Sequence, residues 1–379
     1  MWDHIIGQNR QKHILKEIFR NGKIAHAYLF YGIEGIGKDA AAIEFGKLLN
    51  CENPVKQNPC DQCKSCLQFK SFNSPYLSII TALPSLKDES SDFDQPTVKT
   101  KKTDPLTDAL TAELAEKSRN PYHRISIPKA NNILIDSIRK MKNDAYLTGA
   151  TGKRKVFVIS EADKMNPQAS NAFLKVLEEP PKNSIFILTT SRPDSILPTI
   201  SGRCQKIRFD NLSTAEIDSY ITRLNPVLSK SDREIISRLS EGSILRCNEI
   251  LNNDIPKLKN SVVSCLLHLL KGEYNSLGNE VNVLIASKDK ATIRSFLMLL
   301  NIWFRDVALV KSGLTRGFMF QDIEKRIINF STNFELNTYR IIRIIEDASA
   351  ELDNNVNPEL LLFKLFYSIK IELKRKSKM

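Results

Sequence analysis

Nine residues, GIEGIGKDA (32–40), carry the pattern of a phosphate-binding loop whose last chemical position is altered. Gly32, Gly35 and Gly37 allow backbone N–H groups to approach phosphate oxygens. The helix that follows adds positive potential at its N-terminus, and Lys38 reaches the outer phosphates. Such loops close on a hydroxyl residue that ligates Mg²⁺; here Asp39 stands in that place. A carboxylate at 4 Å from a phosphate charge repels it by about 4 kcal/mol at an effective dielectric near 20. The second metal position is altered too. KVFVISEAD (155–163) has the form of a strand ending on a metal-holding Asp, but Ser160 occupies that place. Glu161, the residue that would polarise an attacking water, is present. Hydroxyl and acid have in effect changed sides. Two readings stay open: Asp39 ligates the metal itself, or ATP is held with slow or absent turnover, which is the expectation adopted.

Cys51, Cys60, Cys63 and Cys66 fall within 16 residues at spacings x8, x2 and x2. Four thiolates in that pattern supply the tetrahedral set of a structural Zn²⁺ site, with no position left open for catalysis. An iron–sulfur cluster is the alternative, though no redox motif accompanies it. Disulfides do not suit a reducing compartment. Arg203, in ILPTISGRC, follows the fourth apolar run at a turn from which a side chain can point outward. A guanidinium so placed suits a phosphate on a neighbouring molecule or a surface ion pair.

The elements that must position these groups are α/β up to about residue 210. AYLFY (27–31), YLSII (76–80), KVFVI (155–159) and SIFILTT (184–190) have the length of buried parallel strands. NPQASNAFLKVLEEPP (166–181) predicts a helix capped by Asn166, with Pro167 in its first turn and Pro180–Pro181 as its stop. Residues 84 to about 128 are rich in Ser, Thr, Asp and Lys and predict a mobile insertion, with Leu106, Leu110 and Leu114 able to stripe one short helix. From 211 the pattern is helical. Ser213 and Glu216 have capping-box spacing and open a small helical unit to about 256, and an all-helical segment fills 257–379.

With 42% apolar and 26% charged residues the chain buries real cores. A formal charge of +12 suits a polyanionic partner, but it is spread along the chain. No apolar run approaches the roughly 18 residues of a membrane span, and the first residues lack a signal peptide's apolar core. A cytoplasmic protein with no membrane partner is expected.

Together IIGQ (5–8), HAYLF (26–30), the phosphate loop, the four-cysteine insert, ISEADKMNPQASNAFLKVLEEPP (159–181) and LPTISGRCQ (197–205) resemble the AAA+ subunits of the bacterial DNA polymerase III clamp loader. NVNPELLLFKLF (355–366) is similar to the last collar helix of that family. The resemblance implies an AAA+ module over 1–210 with a zinc insert at 51–66, a helical lid over 211–256 and a collar over 257–379. It implies a hetero-pentamer with gamma/tau and delta subunits that loads a sliding clamp on primer–template DNA. Gamma/tau motors keep intact metal-site residues, whereas delta-prime subunits tend to have decayed nucleotide motifs and keep an arginine finger for their neighbour. Altered Asp39 and Ser160 beside a retained Arg203 therefore point to a delta-prime-like stator. The same resemblance makes Thr190 the sensor-1 residue, while Arg246 is one place late for sensor 2. The family's Ser-Arg-Cys is Gly202-Arg203-Cys204 here, which loosens the finger's support. The rival readings are an active ATPase motor of the same loader and a zinc-dependent DNA-binding protein on a relict AAA+ fold. Aromatics are only 8% and form no interleaved basic stripe, which ranks the DNA-binding reading last.

Overall fold

Side-chain alternation builds the α/β part of the chain. The structure, a computed structural model, describes residues 2–84, 105–146, 152–286, 290–314, 317–354 and 356–375. Two compact units emerge, Met1–Glu216 with Gly242–Leu245, and Ile217–Glu241 with Arg246–Met379.

In the first unit, strands β1 (Ala27–Tyr31), β2 (Leu77–Ile80), β3 (Lys155–Ile159), β4 (Ser184–Thr190) and β5 (Gln205–Arg208) form one parallel sheet in the order β2-β3-β4-β1-β5. Ala27, Leu29, Phe157, Ile159, Phe186 and Leu188 face one side. There they pack against α5 (Ile135–Tyr146), α6 (Pro167–Glu178) and α7 (Pro198–Ser201). Tyr28, Phe30, Val156, Val158, Ile185 and Ile187 face the other side, against α1 (Asn9–Arg20) and α2 (Lys38–Leu49). Both faces are covered, so the strands read as unbroken apolar runs. Phe157 stacks on Phe186 at 5.3 Å, and Phe173 of α6 meets Phe186 edge-on at 5.7 Å. Each such ring contributes roughly 1.5–3 kcal/mol by burial. Asn166 caps α6 by accepting from the Ala169 N–H at 2.8 Å, as its sequence requires.

Two features differ from the sequence expectation. A fifth strand, β5, was not foreseen, because as an edge strand it buries only Ile207 and shows no apolar run. The described part of the insertion placed at about 84–128 is ordered. Residues 85–104 lie outside the described residues, but Pro105–Arg119 form α4, and Lys117, Tyr122, Ile125 and Ile127 are buried. Its composition is poor in apolar residues; polar contacts described below hold it together with these few buried apolar side chains. Between α2 and β2 lies α3 (Lys64–Lys70), part of the cysteine insert.

From residue 214 onward the chain is mainly helical: α8 (Thr214–Leu224), α9 (Lys230–Leu239), α10 (Ile244–Leu251), α11 (Ile255–Lys271), α12 (Tyr274–Ile285), α13 (Lys290–Lys311), α14 (Glu324–Asn333), α15 (Thr338–Asp353) and α16 (Pro358–Glu372). The capping box at the head of α8 forms, with Glu216 accepting from the Ser213 N–H at 2.8 Å. Helix α13 packs on α14 and α15, and α15 on α16. One departure from the all-helical expectation is a short antiparallel pair, β6 (Phe334–Leu336) with β7 (Leu373–Arg375). Among the described residues no helix is long and apolar enough to cross a membrane.

Candidate functional site

The phosphate loop joins β1 to α2 at the carboxyl ends of β3 and β4, the edge at which open parallel sheets bind ligands. Gly35 and Gly37 hold φ of 74° and 94°, the left-handed region that a side chain resists. Gly35, Gly37, Lys38, Asp39, Ser160, Glu161 and Thr190 all line one cavity there, so the structure brings together seven of the residues singled out in the sequence. Gly32 lies beneath it as a backbone partner: Lys38 Nζ donates to the Gly32 carbonyl at 2.8 Å and to the Ile33 carbonyl at 2.6 Å. Lys38 is thus folded onto its own loop. Burial lowers its pKa, opposed by Asp39, Glu34, Asp163 and Glu161.

Asp39 is the hub. Its Oδ1 accepts from Thr189 Oγ1 at 2.6 Å and its Oδ2 from Ser160 Oγ at 2.7 Å. The Lys117 ammonium of α4 lies 3.1 Å from Oδ2 and also donates to the His123 carbonyl at 2.7 Å. Burial would raise the Asp39 carboxyl, but Lys117 and the two hydroxyls outweigh it and hold the pKa at about 2. Glu161, in left-handed backbone at φ 51°, is equally engaged. Arg124 Nη2 donates to it at 2.6 Å and Lys164 Nζ at 2.8 Å, while Arg124 Nη1 also pairs with Glu34 at 3.0 Å. Thr190 donates to Asp163 at 2.7 Å rather than to Asp39.

The cavity left among these groups measures 60 Å³ and opens to solvent. A magnesium triphosphate does not fit this arrangement. An ammonium lies against the carboxylate, and a guanidinium covers Glu161.

The cysteine module does fit a metal. The four sulfurs of Cys51, Cys60, Cys63 and Cys66 lie within 4.8 Å of one another, and Cys60 Sγ to Cys66 Sγ is 3.9 Å. A tetrahedron with Zn–S bonds of about 2.3 Å has edges of about 3.8 Å. Backbone N–H groups point at the sulfurs: Cys60 N to Cys51 Sγ at 3.2 Å, Cys63 N to Cys60 Sγ at 3.3 Å, and Cys66 N to Cys63 Sγ at 3.4 Å. N–H bonds from Gln62 and Cys63 pull the Cys60 thiol down to about 6. Burial, then the neighbouring sulfurs, push the Cys66 thiol up, a penalty that a divalent cation at the centre would reverse. By contrast Cys204, Cys247 and Cys265 are buried thiols raised to about 12, 11 and 12 mainly by burial.

Arg203 stands apart from the cavity, on the turn between α7 and β5. Its side chain is 40% exposed, pairs with Glu178 at 3.1 Å and donates to the Thr199 carbonyl at 3.0 Å. An exposed pair of this kind is worth at most about 1 kcal/mol, so the guanidinium is available to a stronger anion. Gly202 before it is in ordinary right-handed backbone, φ −71°, and needs no glycine for its conformation.

Sequence reasoning missed Lys117, Thr189 and Arg124. Lys117 continues the Leu106–Leu110–Leu114 stripe at the next helical step, which places it on the inward face. Thr189 adjoins the residue that was named, one position along β4.

Residues 7–213 match the family described as DNA polymerase III, delta subunit. The delta-prime subunit of DNA polymerase III of Bacillus subtilis is 25% identical over 361 residues, 94% of each chain. The tau subunit of the same organism is 26% identical over 261 residues, 67% of this chain and 38% of that one. The delta-prime subunit of Pseudomonas aeruginosa is 28% identical over 247 residues, 65% of this chain and 62% of that one. The chain therefore spans nearly the whole Bacillus delta-prime relative but little more than a third of the tau relative.

Proposed function

The chain belongs to the DNA polymerase III, delta subunit family, and on that premise we propose that it is the delta-prime-like, non-hydrolysing member of a clamp loader. In this reading residues 1–210 are the AAA+ module, 211–256 the lid and 257–379 the collar that joins neighbours. The assembly is a hetero-pentamer with gamma/tau and delta subunits, which opens a sliding clamp and seats it on primer–template DNA. This subunit lends Arg203 to the γ-phosphate of a neighbouring ATPase. A guanidinium there offsets charge that develops on the transferred phosphoryl group. Zinc, held by Cys51, Cys60, Cys63 and Cys66, stabilises the module without touching the reaction.

One observation supports the reading above the others. Asp39, standing where a motor keeps its metal-binding hydroxyl, is already satisfied by Ser160, Thr189 and Lys117. With Asp39 and Glu161 both engaged, assembly and the lent guanidinium are the chain's contribution in this reading. The test is ATP hydrolysis by the reconstituted loader with clamp and primed DNA, comparing the native subunit with Arg203→Ala. Hydrolysis at the neighbouring site should fall at least tenfold, given that such arginines are worth about 10³–10⁵ in rate. An unchanged rate removes the finger. Brisk hydrolysis by the lone chain, lost on Lys38→Ala, would instead mark a motor.

A further inference from the structure

The two acids, the loop lysine and the loop's outer face in the phosphate pocket are each met by a group of this chain, and most of those groups come from one segment. Lys117 lies 3.1 Å from Asp39, at the carboxylate a metal would need, and is only 3% exposed. Arg124 spans Glu161 and Glu34 at 2.6 and 3.0 Å. The Tyr122 ring sits over the loop itself: a methyl group on Gly37 would meet it at 3.2 Å. Its hydroxyl accepts from the Ile6 N–H at 2.6 Å, which ties the segment to the N-terminus. Lys38 completes the closure by turning onto the carbonyls of Gly32 and Ile33. The positive charge that phosphates would seek is matched by acids of the same pocket, through charge-assisted hydrogen bonds.

We propose that residues 117–124 are a built-in occupant of the phosphate pocket, with the Lys117 ammonium standing in for the metal, so that the chain enters its assembly without taking up Mg·ATP. This deepens the stator reading and rests on it for the identity of the pocket. It replaces the expectation of ATP held without turnover by an internal ion pair held in its stead. The contact is also chemically self-consistent. One ammonium meets one carboxylate, two hydroxyls donate to that carboxylate, and a carbonyl takes the remaining reach of the lysine.

The experiment is calorimetric titration of the full chain with Mg·ATP. The native chain should show no saturable binding up to about 1 mM, while Asp39→Thr/Ser160→Asp/Lys117→Ala, which restores the usual hydroxyl and acid and removes the ammonium, should bind at least about tenfold tighter. A second measurement needs no variant. Lysine acetylation followed by mass spectrometry should show Lys117 protected relative to exposed Lys129, and millimolar Mg·ATP should leave that protection unchanged. Saturable micromolar binding by the native chain, or exposure of Lys117 on adding Mg·ATP, overturns the proposal. Either failure would leave the Arg203 effect on the assembled loader standing, so the two readings fall separately.

Discussion

Replacing Lys117 by methionine keeps the length and apolar stem of the side chain while removing the ammonium 3.1 Å from Asp39. The Asp39 carboxyl, held at about 2 against an ordinary 3.8, is depressed in the fold. A depressed carboxyl contributes stability above its unfolded pKa, and loses it as pH falls through the folded pKa. At pH 7 the full contribution is present, about 2 kcal/mol at 1.36 kcal/mol per pH unit. By pH 3 about half remains, and below about pH 2 essentially none. Thr189 and Ser160 supply part of it, so the Lys117–Asp39 coupling itself should be about 1–2 kcal/mol. The chain has only two tryptophans, Trp2 in the α/β unit and Trp303 in the helical one, both buried. In a Trp303→Phe background, Trp2 fluorescence during urea unfolding follows the α/β unit by itself. A double-mutant cycle of Lys117→Met and Asp39→Asn, run at pH 7 and at pH 3, reads the coupling directly. Additivity within about 0.3–0.5 kcal/mol at pH 7 would refute the ion pair as a stabilising contact. A coupling that does not shrink at pH 3 would refute its assignment to the Asp39 charge.

Cys63→Ser should take zinc content from one per chain to well below one and lower the melting temperature, because metal binding is coupled to folding; metal-free protein with unchanged melting would sink the structural role. Gly35→Ala places a methyl group 2.4 Å from Leu245 Cβ and Ser243 Oγ at φ 74°, and should cost about 1–3 kcal/mol in urea unfolding; a loss below about 0.5 kcal/mol would show the loop relaxing freely. Arg203→Ala, by contrast, should change the lone chain's stability by less than about 1 kcal/mol, since only an exposed pair with Glu178 is lost; a larger loss in melting experiments would recast Arg203 as a structural residue.

The sheet and its central helices were legible because both faces are buried, so β1, β3 and β4 appear as continuous apolar runs. Asn166 and Pro167 wrote the start of α6 into four residues. The cysteine cluster was legible from spacing alone. What escaped was the work of polar side chains over long sequence separation. Lys117 is 78 residues from Asp39, and nothing in local composition says that a lysine in a Ser- and Thr-rich insertion will reach a half-buried carboxylate in the phosphate loop. Few buried apolar side chains, Tyr122, Ile125 and Ile127, suffice for order when polar contacts join them. Here α4 is secured by Lys117 and by Glu113, whose carboxylate meets the His123 ring at 2.9 Å and accepts from the Ser126 N–H at 2.8 Å. Strand β5 escaped for the opposite reason: its pairing with β1 is backbone hydrogen bonding, to which side-chain pattern is blind.

The direct contact between Ser160 and Asp39 also constrains how such a pocket can change over generations. Restoring an acid at position 160 alone would set two carboxylates within about 3 Å of each other, a strongly repulsive pair. Restoring a hydroxyl at position 39 alone would strand the Lys117 ammonium without its anion. Both of these single steps toward an active pocket therefore cross a less stable protein. On the proposed reading the silent state is guarded by a ratchet, and lineages that entered it would be expected to stay.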